Sequence, residues 1–390
     1  MPYKKKLSIA ILGSTGSIGK TSLKILSNNL NIFKIDLLAC NKNKQIILRQ
    51  INKFLPKYVI INNLNAYKIL KKVKYKKKIK FFNSIKEFNN FNKKKFDKVI
   101  LGISSLDGLD YAFSFIKYSN EMLIANKETI VCGGNFFLNT AKKHHCEIKS
   151  IDSEHYCLSQ LLNIIDPKEI DKIYLTASGG PFLNKNLSDV SKINAKYAIK
   201  HPMWKMGKKI SVDSATMANK GLEVIEASIL FGINLEKIKI KIHTESKVHS
   251  IVILKNGLVY LLAHNTSMRI PIENSLLTSK SFFKNKNFFL NKNFFSLTFE
   301  EHNLKKFKML RLAYIACNYG PRGCIFYNVV NDFLVYLYLN NKIFFYQIYD
   351  NLKKIMLDHK LKKYFKKKIK NLNDINETVL YAKECANKSL

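Results

Sequence analysis

The sequence predicts an α/β protein that opens with a doubly wound domain, and three observations carry that expectation. A short apolar run, Leu7–Leu12, enters a glycine turn, Gly13-Ser-Thr-Gly16-Ser-Ile-Gly19, and leaves it as a helical pattern. Short apolar runs then alternate with helical patterns to about residue 151, as stacked βα units require. Beyond that the chain holds a second set of strand signals and then a purely helical stretch.

The run at 7–12 suits a buried parallel strand. Glycines after it let a backbone approach a pyrophosphate, and a helix N-terminus adds amide donors and a favourable dipole. The spacing G-x-x-G-x-x-G is a variant of the commoner dinucleotide fingerprint, so a tight turn without a ligand is the competing reading. The strand expected at Phe33–Cys40 discriminates between cofactors. A site for NAD places an acid at its end to bind ribose hydroxyls, whereas this chain reads Asn41-Lys42-Asn43, which suits a 2′-phosphate and hence NADP. Strands follow at 58–61, 98–101, 122–125 and 147–151, and helices at 44–54 and 109–118. The lysine-rich run 71–80 reads as a solvated surface segment.

Ligands of such a domain lie at the C-terminal ends of its strands. Asn126-Lys127-Glu128 follows one such end, and Asp152-Ser153-Glu154-His155 follows another. In extended chain Asp152 and Glu154 point the same way. Two carboxylates on one face call for a cation, and all-oxygen ligation suits Mg²⁺ or Mn²⁺ rather than zinc. Capping of a helix N-terminus accounts for acids there equally well, and Glu223 is the candidate third carboxylate.

Residues 175–182 run from a strand into a Ser-Gly-Gly-Pro turn, whose amides and Ser178 hydroxyl suit an anion; a plain turn is the alternative. Residues 183–208 carry few regular signals but hold His201, the only tryptophan, Trp204, and Met206 just before Gly207. That is the composition of a mobile lid, or of a packed loop that buries its tryptophan. A helix is expected to start at Asp213 or Ser214. On it Asn219 and Glu223 share a face, with Lys220 about 100° round. Hydroxyl, amide, ammonium and carboxylate together can hold an anion and a cation; an amphipathic helix with a solvated face is the plainer reading.

Strands at 238–243 and 250–254 come next, the latter turning at Asn256-Gly257 into 258–262, a hairpin that offers an oligomer surface. The low-complexity stretch 280–297 reads as linker, and helices are expected at 304–319, 326–339, 344–359 and 375–389. The expected domains are therefore 1–151 for nucleotide, 152–279 for catalysis with a lid at about 183–208, a linker at 280–302, and a small helical domain at 303–390.

Composition limits the functional classes. The net charge is +38, but lysine is spread along the whole chain among Asn, Ile, Phe and Tyr, and arginine occurs only at Arg49, Arg269, Arg311 and Arg322. Arginine is the usual choice for bidentate phosphate and base contacts, so the pattern argues against nucleic-acid binding and for compositional drift. Seven cysteines without C-x-x-C spacing read as reduced thiols. No run approaches the length of a membrane span, and the N-terminal run lacks a cleavage site, so a soluble cytoplasmic protein is expected.

Taken together, Gly13–Gly19, Ala125-Asn-Lys-Glu128, Asp152-Ser-Glu-His155, Ser178-Gly-Gly-Pro-Phe182 and the block from His201 to Glu223 resemble the 1-deoxy-D-xylulose-5-phosphate reductoisomerase family over nearly the full length. The resemblance implies a Rossmann-type NADPH-binding domain, a central α/β catalytic domain with a mobile lid, and a C-terminal helical domain. It implies that Thr15, Gly16, Ser17 and Ile18 cradle the NADPH pyrophosphate. Asn41, Lys42 and Asn43 would lie near its 2′-phosphate, and Asn126, Glu128 and Gly207 would also touch the cofactor. Asp152, Glu154 and Glu223 would hold Mn²⁺ or Mg²⁺. Lys127, Ser153, Glu154, Ser178, His201, Ser214, Asn219, Lys220 and Glu223 would bind a sugar phosphate, with Lys127, Glu154, His201 and Glu223 as catalytic residues, and a homodimer would be the working state. Three stretches depart from the family pattern: Asn41, His243-Thr-Glu-Ser246 and Asn328-Val-Val-Asn-Asp332.

Overall fold

A computed structural model describes residues 5–204, 206–277, 296–301 and 307–390. Its contacts divide the chain into two compact units, the first made of 5–129, 137–152 and 268–277, the second of the remainder.

The first unit opens with β1 (Leu7–Leu12), α1 (Ser17–Ser27), β2 (Phe33–Cys40), α2 (Lys44–Phe54), β3 (Tyr58–Ile61), α3 (Leu64–Lys71) and β4 (Lys80–Phe82). It continues with α4 (Ile85–Phe91), β5 (Phe96–Leu101), α5 (Asp107–Ile116), β6 (Ser119–Ile124), α6 (Lys127–Lys143) and β7 (Glu147–Ser150). All seven strands pair in parallel, in the order β4-β3-β2-β1-β5-β6-β7. Ile9 to Leu12 are wholly buried, which is why β1 reads as an apolar run without alternation. Strand order reverses between β1 and β5, so the crevice at their C-terminal ends is where a doubly wound sheet takes its ligand.

The run 71–80 lies at the surface as expected, but its last residue opens a strand that was not expected, β4, whose Phe81 and Phe82 are buried. A three-residue strand starting on lysine offers no alternation to detect. The segment around α12 (Arg269–Leu276), expected with the catalytic domain, returns instead to the first unit, where Ile272 and Leu276 join the core of Ile9, Leu26 and Ile35.

The second unit contains α7 (Ser153–Leu162), β8 (Ile170–Ala177), α8 (Leu187–Ser191), α9 (Ala195–Ala198), α10 (Lys208–Thr216) and α11 (Ala218–Phe231). Then come β9 (Ile238–Ile242), β10 (Val248–Leu254), β11 (Val259–Ala263) and β12 (Glu300–Glu301). The five-stranded sheet runs β11-β10-β8-β9-β12, with only β8 and β9 parallel. Most of the expected linker, 280–295 and 302, lies outside the described residues. Its described end, however, pairs with β9, and His243 and Glu245 hold it through Thr298. The departure at 243–246 is thus the segment that fastens this return.

The chain ends in α13 (Lys308–Tyr319), α14 (Pro321–Leu339), α15 (Phe345–Met356), α16 (His359–Phe365) and α17 (Leu372–Lys388). The helix expected at 344–359 is α15, which ends at Met356, and α16 follows where no helix was expected, capped by Asp358, which accepts from Lys360 N. These helices press on α11: a Cβ at Gly221 would meet the Tyr327 hydroxyl at 2.5 Å and Ala313 Cβ at 2.8 Å. Asn331 Nδ2 donates to Asp213 Oδ1 at 2.8 Å, and Lys209 joins Asp213 at 3.0 Å to Asp332 at 2.7 Å. The departure at 328–332 therefore serves to fix α10. Among the described residues no helix is long and apolar enough to cross a membrane.

Candidate active site

The glycine turn sits at the switch point because the two strand ends leave no room for side chains. Gly13 has φ +85°, and a Cβ there would meet the Gly102 carbonyl oxygen, just past β5, at 2.8 Å. At Gly19 it would meet Gly13 O and Ser14 Cα, both at 2.5 Å. Gln50 braces the turn by donating to Ser14 O at 2.8 Å. Gly16 and Ser17 lie exposed at the start of α1, whose first turn has no side-chain cap, and Thr15 and Ile18 are half-buried beside them. Amides at an uncapped helix start on a glycine turn suit a pyrophosphate.

Asn41, Lys42 and Asn43 are exposed past β2, and Asn43 caps α2 by accepting from Ile46 N. Asn126 opens α6 with its Nδ2 on Ser105 O at 3.2 Å and its Oδ1 buried without a partner among the described residues. Glu128 beside it is buried, and Gly207 is the N-cap of α10.

Asp152 and Glu154 are not an extended pair. Asp152 lies just beyond β7, and Glu154 stands in the first turn of α7, so a strand-to-helix turn aligns them. The expected helix start at Asp213 or Ser214 also fails: both lie inside α10. The break comes at Met217, whose φ of +65° closes α10 and opens α11. A left-handed methionine has no glycine to announce it. It puts Ser214 on one helix and Asn219, Lys220 and Glu223 on the next.

One oxygen from each of Asp152, Glu154 and Glu223 lies within 4.8 Å of the other two. Lys127 donates to Asp152 at 2.9 Å, and Lys220 donates to Glu154 at 3.0 Å and Glu223 at 2.5 Å. Asn219 and Ser153 add hydrogen bonds to Glu223 and Glu154. Burial alone would raise the Glu154 carboxyl, but the Lys220 ammonium and then His249 outweigh it and hold the group well below the usual carboxylate range. Glu154 is thus present as a carboxylate, and the cluster sets three acids against two lysines. Hard oxygen donors that outnumber the lysines in a buried place fit a divalent cation of the Mg²⁺ or Mn²⁺ type.

Ser178 ends β8 in a turn that needs its glycines: Gly179 and Gly180 have φ of +81° and +69°, and a Cβ on Gly180 would meet Ser214 O at 2.7 Å. That contact brings the Ser178 turn and α10 together. His201 Nδ1 accepts from Met203 N at 3.1 Å and Trp204 N at 2.9 Å, so Nε2 carries the proton and donates to Ser178 Oγ at 3.0 Å. Gly180 N also donates to that oxygen at 3.2 Å, so the serine hydroxyl proton remains for an acceptor such as an anionic oxygen. The segment expected to be a lid is less irregular than expected, since it carries α8 and α9.

Burial lowers the His201 ring from 6.5 to about 4, so the folded chain favours neutral imidazole there. The unfolded chain then binds the proton more readily, and stability rises with pH across this window. The contribution is complete above about 6.5 and is lost as pH falls towards about 4. The melting temperatures of wild type and His201→Asn should therefore differ most above pH 6.5 and converge on acidification; a gap independent of pH would contradict this.

His155, the last residue of the Asp152–His155 motif, is buried and its Nε2 donates to Glu223 O at 3.0 Å. His249 has no sequence signal: its Nδ1 faces Glu154 Oε1 at 3.9 Å, and it is buried in a strand whose pattern announces only core.

Sequence profiles described as 1-deoxy-D-xylulose 5-phosphate reductoisomerase match residues 9–134, and those of its C-terminal domains match 148–231 and 264–385. The chain is 40% identical over 376 residues to the 1-deoxy-D-xylulose 5-phosphate reductoisomerase of Pelagibacter ubique, covering 94% of this chain and 95% of the relative. It is 36% identical over 371 residues to that of Clostridium novyi, covering 94% and 95%. A crystal structure of DOX-P reductoisomerase with NADPH, fosmidomycin and magnesium superposes with a TM-score of 0.88 at 30% identity, covering 98% of both chains. The Zymomonas mobilis enzyme with NADPH gives 0.88 at 27% identity, covering 98% of this chain and 99% of that one. On the strength of matches spanning nearly its whole length, this chain belongs to the 1-deoxy-D-xylulose 5-phosphate reductoisomerase family.

Proposed function

We propose that the protein converts 1-deoxy-D-xylulose 5-phosphate to 2-C-methyl-D-erythritol 4-phosphate, by intramolecular rearrangement and then hydride reduction, in the non-mevalonate isoprenoid pathway. The observation that carries this reading is the trio of buried Asp152 and Glu223 and half-buried Glu154, bound by Lys127 and Lys220. Held there, a divalent cation supplies Lewis-acid polarisation of a substrate carbonyl, and NADPH supplies the hydride.

The chain's own residues do the rest. Thr15, Gly16, Ser17 and Ile18 hold the pyrophosphate, with Asn41, Lys42 and Asn43 towards the 2′-phosphate and Asn126, Glu128 and Gly207 also on the cofactor. Ser178, His201, Ser214, Asn219 and Lys220 grip the sugar phosphate, the Ser178 proton being the one its hydrogen bonds leave over. Lys127 and Ser153 stand beside the metal acids and orient the reacting hydroxyls. Closure of the lid 183–208 excludes water from the rearrangement. The nucleic-acid reading finds no support among the relatives or in the site, where charge is gathered around buried carboxylates. NADPH oxidation that requires both substrate and a divalent metal is the direct test.

We further infer a cytoplasmic homodimer. β11 is a sheet edge on which Val259 and Leu261, with Leu258 just before it, are about half exposed, the kind of apolar edge that a second copy covers. Equilibrium sedimentation should give twice the mass of 45.1 kDa; a monomer at assay concentration would contradict it.

A further inference from the structure

His249 stands where the pairing of β10 with β11 slips between Val248 and Ser250, and a bulge of this kind re-aims a side chain. Its ring is held from three directions. Nε2 donates to the His264 carbonyl oxygen at 3.3 Å. The His264 imidazole stacks on it, with centroids 3.9 Å apart and planes 25° apart. The Trp204 indole meets it edge-on at 6.2 Å and 66°. The nitrogen left over, Nδ1, is the one that faces Glu154 Oε1 at 3.9 Å.

His264 is itself an unusual core residue. Its ring Nδ1 donates to Asn265 O at 2.7 Å, while Nε2 is buried with no partner among the described residues. A polar atom left in that state costs stability, so a purely apolar side chain would fill this space more cheaply. Burial, followed by the nearby His249, lowers the ring to about 4, and the plate against His249 is uncharged.

We propose that His264 is a positioning residue: by stacking on His249 it fixes the ring that touches both Glu154 and Trp204, and so couples metal binding to the lid. The backbone carbonyl of residue 264 would persist whatever the side chain, so the coupling depends on the aromatic face. This rests on the metal reading given above, and its test separates the two.

Trp204 is the only tryptophan in the chain, so its emission reports on the lid without labelling. Mg²⁺ titration of the full-length protein followed by that emission, together with Mn²⁺ binding followed by the electron paramagnetic signal of the free ion, gives two readouts without turnover. Wild type should bind Mn²⁺, and Mg²⁺ should change the emission. His264→Ala should bind Mn²⁺ about tenfold more weakly, as for other residues that orient metal ligands, with a reduced emission change and unaltered NADPH affinity. His264→Leu, which fills the space without an aromatic face, should behave like alanine, and His264→Phe should restore most of both responses. Should the alanine variant fail to fold, the leucine and phenylalanine pair decides. Equal Mn²⁺ affinity and emission response in leucine, phenylalanine and wild-type proteins would overturn the proposal. Wild type that binds no Mn²⁺ would overturn the metal reading, and the coupling with it.

Discussion

Replacing Lys220 by methionine should destabilise the protein by roughly 3–5 kcal/mol, the usual cost of leaving a buried charge without its partner. Lys220 is 5% exposed and Glu223 1%, and the one ammonium serves both Glu154 and Glu223. Without it the two carboxylates face each other in a place water barely reaches. Two features distinguish this from ordinary loss of packing. Added Mg²⁺ should recover part of the stability, because the cation takes over the charge that the ammonium balanced. Acidification from pH 8 to 5 should stabilise the variant as well. Burial raises the Glu154 carboxyl once the chief opposing charge is gone, so the folded variant binds the proton more readily and loses stability as pH rises. Urea unfolding at the two pH values, with and without Mg²⁺, reads both effects. A variant that unfolds like wild type under all four conditions would show that Lys220 does not balance the acids.

Glu223→Gln should leave the fold standing and remove the activity. The amide keeps the shape of the side chain, and Lys220 retains Glu154 as a partner. One of three anionic ligands is lost, however, and Lewis-acid stabilisation is worth several kcal/mol, so turnover should fall on the order of a thousandfold. Mn²⁺ affinity should fall with it, while NADPH binding, expected at a turn in the other unit, stays as in wild type. Metal-dependent activity near the wild-type level would remove Glu223 from the ligand set.

How much of this was legible in the sequence differs from element to element, for physical reasons. β2, β3 and α2 have the expected bounds because apolar runs and the Asn43 cap mark them directly. The glycine turn was legible because the contacts at Gly13 and Gly19 exclude any side chain. Met217 was not, since a left-handed residue between two helices leaves no mark when it is not glycine. The relation of Asp152 to Glu154 was misread because a two-residue interval implies one face only in extended chain, and α7 begins between them. His249 and His264 escaped notice because a histidine in a hairpin gains its meaning from the neighbour across the strand.

The central claim is that the buried carboxylates and the glycine turn serve one reaction. The most direct measurement is the absorbance of NADPH with purified protein and 1-deoxy-D-xylulose 5-phosphate, with and without Mg²⁺ or Mn²⁺. Oxidation should require the sugar phosphate and the metal together, stop on chelation, and yield 2-C-methyl-D-erythritol 4-phosphate. NADPH left unconsumed with every component present, or consumed equally after chelation, would contradict the account.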